Sequence, residues 1–134
     1  LMRGDPSVPD LPDAWNEAFE SSFGTRPPDD LRGCLQDIHW YDGAFGYFPT
    51  YTLGALAAAQ LFSAVRKDHP DILAQISKGH FSTLLNWLRI NVHNVGSALS
   101  TEEILIKATG SSLSTTAFLA HLNSRYLGKA SKTY

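Results

Sequence analysis

The chain is poor in the features that most often announce a function. It holds a single cysteine, Cys34, so no disulfide can form within it. A reducing, cytoplasmic setting is therefore the expectation. Its basic residues are dispersed, with no run longer than a pair such as Arg66-Lys67, and the formal net charge is −2. That balance excludes an electrostatic footprint for nucleic acid. No secretory leader is expected in "LMRGDPSVPD", which places two prolines and two acids where an apolar region is needed. Leu rather than Met at position 1 suggests a truncated or processed chain. The uncharged stretch from Gly43 to Val65 is long enough to cross a bilayer. It carries Pro49, Gln60, glycines and several hydroxyls, so it reads as core and no membrane partner is expected.

Catalytic motifs are missing too. There is no H-E-x-x-H, no C-x-x-C, no glycine-rich phosphate loop and no G-x-S-x-G elbow. The histidines at 39, 69, 80, 93 and 121 are scattered, and no two stand at helical ligand spacing. His69 beside Pro70 and His80 after Gly79 read as solvated, and His93 near a helix end can favour the negative end of the dipole. No metal site and no cofactor site is expected within these 134 residues.

What is present is helical. The 43% hydrophobic and 18% charged content, over 134 residues, fits one soluble domain with its own core. Strand signals are nearly absent, and the expectation is an all-α chain of six or seven helices, with residues 1–134 a single helical region. "LPDAWNEAFESSF" sets Leu11, Trp15, Phe19 and Phe23 four apart, between Asp10 as cap and Gly24 as stop. Asp29 or Asp30 can cap a short helix through Leu31, Leu35 and Ile38. A long helix is expected from about Pro49 to Lys67, then a short one ending at Gly79. A stripe of Phe81, Leu84, Leu85, Leu88 and Val92 predicts the next, closed by Gly96. Ser100 and Glu103 stand in capping-box spacing ahead of Gly110. A last helix from about Ser114 to Leu127 turns Phe118, Leu122 and Tyr126 to one face.

Within the long helix, "LGALAAAQLF" from Leu53 to Phe62 offers solvent no charged position. A helix apolar all round is normally central in its protein. The other helices are modest, so a partner or further sequence is expected to pack there.

One cluster is dense in chemistry: Gln36, Asp37, His39 and Trp40, followed by a loop rich in glycine and aromatics. Asp37, two residues from His39, can orient that imidazole as carboxylates do for catalytic histidines. It can equally just close a short helix. Tyr47 and Tyr51 can project phenols toward a developing oxyanion, or serve as aromatic core.

"GCLQDIHW" has the form G-x-x-Q-D-x-H-W and closely resembles a motif of the thermostable (Taq-type) carboxypeptidases, helical zinc-dependent metallopeptidases. The likeness extends forward through "FGYFPTYTLGALAAAQ", "WLRINVHNVG", "ATG" and "RYL", and backward through "DLPDAWNEAF". It implies the C-terminal part of a larger, zincin-like fold, whose H-E-x-x-H helix and remaining metal ligand lie N-terminal to this region. It further implies release of C-terminal residues from peptides, zinc or another divalent metal in the full-length parent, and a homodimer. His39, with Tyr47 or Tyr51, would be catalytic; Gln36, Asp37 and Trp40 would bind substrate or shape the cleft. The isolated chain would be inactive. The alternative is a non-enzymatic helical interaction module derived from such an enzyme. Pro6, Tyr41 and Ser97 depart from the family pattern and bear on substrate preference.

Overall fold

Stop signals in the chain set the ends of its helices. The computed structural model describes Gly4 and residues 6–128; the ends of the expected 1–134 region lie outside the described residues. Among these residues there are six α-helices, four short 3-10 turns and no strand, so the chain is all-α. No helix among them is long and apolar enough to cross a membrane. The residues gather into two compact units, Leu1–Phe48 and Pro49–Tyr134.

In the first unit, α1 (Leu11–Phe23) ends where Gly24 takes φ 71° and its N–H donates to the Glu20 carbonyl. That left-handed geometry is cheap only for glycine. Asp10 stands at the helix start but makes no side-chain cap; its carboxylate instead accepts the Ser7 hydroxyl. Leu11, Trp15 and Phe19 are half-buried, whereas Phe23 is exposed.

The single short helix expected after the prolines is instead a chain of 3-10 turns, Asp30–Arg32, Cys34–Gln36 and Ile38–Trp40. Gly33 interrupts it. This residue is buried at φ −120° and ψ −118°, and a Cβ there would meet the Asp29 carbonyl oxygen and Pro27 at 3.2 Å. Asp29, not Asp30, is the cap, accepting the Arg32 N–H at 2.9 Å and pairing with the Arg32 guanidinium at 2.6 Å. Breaking the helical register turns Leu31, Leu35 and Ile38 to the surface and leaves Cys34 as the buried side chain.

The second unit is organised by α2 (Pro49–Asp68), which packs on α5 (Thr101–Thr109) and α6 (Thr116–Tyr126). Its core is built on Val65 of α2, Ile72 of α3 (Ile72–Ser77) and Trp87 of α4 (Ser82–Asn91). Leu61, Ile76, Leu84, Leu88, Val92 and Ala108 close around them. Phe81 and Leu85, expected on the buried stripe of α4, are exposed, and Trp87 is buried in their stead. Its indole N–H donates to Asp68 at 2.7 Å, so burial leaves no orphan donor. The capping box of α5 forms as expected, with Ser100 and Glu103 bonded reciprocally and Gly110 at φ 86°.

Gln60 is the buried polar side chain of α2. Its amide donates to the Thr109 hydroxyl at 2.9 Å and the Ser111 carbonyl at 3.1 Å, and its carbonyl accepts the Ser114 N–H at 3.0 Å. One side chain thereby fastens α2 to the α5–α6 connection. Toward its start, α2 is uncovered: Tyr51, Leu53, Gly54 and Ala58 are exposed, and between Leu53 and Phe62 only Leu56 and Gln60 are buried.

Candidate functional site

The chemistry-bearing cluster sits on the third 3-10 turn and the loop that follows it. Asp37 has extended backbone at φ −81° and ψ 102°, and starts the turn by accepting the His39 backbone N–H at 3.0 Å. The same oxygen, Oδ1, lies 2.6 Å from His39 Nδ1. Both side chains are mostly withdrawn from water, 16% exposed for Asp37 and 18% for His39. Burial pushes the Asp37 carboxyl up. Hydrogen bonds from the His39 ring and backbone, with the attraction of the ring's charge, outweigh that and hold it below the usual carboxylate range.

The loop then folds back over the ring. The Ala44 N–H donates to the His39 carbonyl at 2.8 Å, and Gly43 and Gly46 take φ 71° and 78°, which supplies the reversals. This return places the Tyr47 ring 5.1 Å and the Phe48 ring 5.3 Å from the imidazole, centre to centre, both tilted. Asp37, His39 and Tyr47 are therefore brought together.

The other candidates have different surroundings. Trp40 stacks on Phe45 at 6.0 Å and meets Trp15 of α1 edge-on at 6.3 Å. Gln36 donates its amide to the Leu31 carbonyl, so it ties adjacent turns together. Tyr51 lies in the first turn of α2, within the second unit, with its side chain exposed. Two residues not proposed as site residues from the sequence join the aromatic group. Phe48 flanks the imidazole, and the buried indole N–H of Trp15 has no hydrogen-bond partner among the described residues. The density of rings between Trp40 and Tyr51 signalled the first; the α1 stripe that includes Trp15 signalled only a covered helix face.

A catalytic metal needs three protein ligands drawn mainly from His, Cys, Asp and Glu. No group of three such residues is gathered among the described residues. The contacts these side chains make are hydrogen bonds and ring contacts.

The Carboxypeptidase Taq (M32) metallopeptidase family profile matches residues 1–126. The chain is 42% identical over 127 residues to thermostable carboxypeptidase 1 of Pyrococcus furiosus, covering 95% of this chain and 26% of that protein. It is 40% identical over 126 residues to thermostable carboxypeptidase 1 of Thermus thermophilus, with 94% and 25% covered. Among solved structures, metallocarboxypeptidase 1 of Trypanosoma cruzi superposes with a TM-score of 0.89 at 40% identity, over 94% of this chain and 27% of that one. The chain thus spans about a quarter of the length of the relatives it matches.

Proposed function

The chain belongs to the Carboxypeptidase Taq (M32) metallopeptidase family, and from that premise we propose that residues 1–134 are one C-terminal region of a carboxypeptidase catalytic domain. In the full-length protein this region supplies part of the cleft that holds the peptide whose C-terminal residue is released. His39, with Tyr47 or Tyr51, contacts the peptide backbone or the oxyanion that develops on it. Gln36, Asp37 and Trp40 shape that cleft. The metal the family implies, zinc or another divalent ion, is held by residues outside this chain. The whole enzyme works in the cytoplasm as a homodimer, without nucleic-acid or membrane partners.

The observation that carries the reading is the coincidence of motif and geometry. The histidine of "QDIHW" is the one seated on a carboxylate and flanked by Tyr47. A donor placed beforehand at a developing negative charge lowers the barrier without reorganisation when the reaction occurs.

Two measurements test it. The purified 134-residue chain alone should neither bind zinc tightly nor hydrolyse peptides; stoichiometric zinc with peptidase activity would overturn the reading. In the full-length protein, His39→Ala should lower kcat on the order of 10²-fold with a smaller change in KM. Unchanged turnover would make His39 a structural residue. Exposed Tyr51 and Leu53 at the uncovered start of α2 favour the second reading, a helical module that binds another protein. An upstream reading frame without H-E-x-x-H would select it.

A further inference from the structure

We propose that Trp15 is a positioning residue that acts through Trp40. Its buried indole N–H is directed at the face of the Trp40 ring, and this contact fixes how Trp40 stands in the peptide cleft. The inference rests on the reading of Trp40 as a residue that shapes that cleft. It adds the group that holds the ring in place.

Trp15 carries a donor without an acceptor. Its Nε1 is buried and has no hydrogen-bond partner among the described residues. A covered indole N–H normally finds an acceptor, because leaving a buried donor unspent is costly. Trp87 shows the ordinary solution, with its N–H on Asp68 at 2.7 Å. For Trp15 the neighbour is a ring instead. The Trp40 indole stands at 89° to it, with the ring centres 6.3 Å apart. In that arrangement the edge of one ring meets the face of the other. An aromatic face is negative and an edge positive, and the N–H is the most positive point of an indole edge. Hence the edge is that of Trp15 and the face that of Trp40.

The same contact joins two elements of the first unit. Trp15 lies on α1, and Trp40 ends the third 3-10 turn, directly after His39. Trp40 also stacks on Phe45 of the following loop, at 6.0 Å and 27°. Parallel rings can slide over one another, and a perpendicular neighbour limits that slide. Phe45 therefore sets the plane of Trp40, and Trp15 sets its place within that plane. Without the N–H of Trp15, the ring keeps its stacking partner but loses its second direction.

Hydrogen–nitrogen correlation NMR of the chain, labelled with nitrogen-15, tests the contact without any activity. The chain has three tryptophans and so three indole signals, and that of Trp15 is identified by its loss in Trp15→Phe. A proton over a ring face is shielded, so the Trp15 indole proton should lie upfield of the ordinary indole range. In Trp40→Leu it should return to that range. A Trp15 proton within the ordinary range or downfield of it, as a bound water or an oxygen acceptor would give, overturns the proposal. So does an upfield signal that Trp40→Leu leaves in place. If either variant does not fold, the unsubstituted chain decides alone, by an upfield indole signal with through-space contacts to the Trp40 ring. The positioning role is read in the full-length protein. There Trp15→Phe should raise KM for a peptide by about 2- to 10-fold with kcat retained, the range a ring pair of this kind contributes. An unchanged KM overturns that role, and a fall in kcat alone marks a merely structural residue, through loss of active enzyme. An unchanged KM in Trp40→Leu instead removes Trp40 from the cleft and leaves its contact with Trp15 standing.

Discussion

The two units hold themselves together by different means. In Pro49–Tyr134, helices of up to five turns bury Val65, Ile72 and Trp87 in a continuous apolar core. In Leu1–Phe48 the chain after α1 is cut into 3-10 turns of three residues each, and Cys34 is its one fully covered hydrophobic side chain among the described residues. There, order comes from short-range polar contacts, Asp29 on Arg32 and Asp37 on His39, and from aromatic rings set against one another. Burial is non-directional and tolerates small shifts. Hydrogen bonds and ring contacts fix direction. Asp37, His39 and Tyr47 lie in the unit ruled by direction, while Tyr51 belongs to the unit held by burial.

The comparison breaks most severely at Trp87. Trp87→Ala removes the largest side chain of the second unit's core and leaves Asp68 without its indole donor. A loss of about 3–5 kcal/mol is expected, read as a lower urea midpoint. Gln60→Leu is a subtler breach, because it keeps volume but strips partners from Ser114 and Thr109. It should cost about 1–3 kcal/mol in the same measurement, with faster hydrogen exchange of the Ser114 amide as its local mark. Replacing the α5 cap, Ser100→Ala, should cost about 1 kcal/mol and fray that helix end in hydrogen exchange.

Acid sharpens the contrast with the smallest effect. Arg32 lowers Asp29, the contacts to His39 lower Asp37, and Ser100 lowers Glu103, the last alone being in the second unit. A carboxyl lowered on folding stabilises fully above its unfolded value, and that stability is lost as pH falls through the folded value. Below the usual carboxylate range the first unit should therefore lose order before the second. Carbon-13 titration of the carboxyls should place Asp29 and Asp37 below their denatured-state positions. Ordinary values for both would mean that the polar contacts of the first unit do not order it.

Reading the chain forward recovers much of this because helix ends are local events. Gly24 and Gly110 cap their helices at positive φ where a stop was expected, and Ser100 and Glu103 close their box across three residues, whereas α4 ends at Asn91, ahead of the expected Gly96, which instead follows a separate 3-10 turn. The choice between Asp29 and Asp30 is not local in that sense. It depended on Gly33 lying against Pro27, which ends the first turn after Arg32 and leaves Asp29 in the capping place. Likewise a periodic stripe on α4 says that one face is buried but leaves its centre undecided. Trp87 won over Phe81 and Leu85 because α2 and α3 bring Val65 and Ile72 to that side.

By itself the sequence determined the helical class, most helix ends and the "QDIHW" segment that ties the chain to its family, because these depend on residues a few positions apart. Only the tertiary structure decided which apolar residues form the core and which surround the imidazole. Covering a side chain, or bringing a tyrosine to a histidine eight positions away, requires the chain to return on itself. The shape of that return depends on packing and loop geometry that no periodic pattern records.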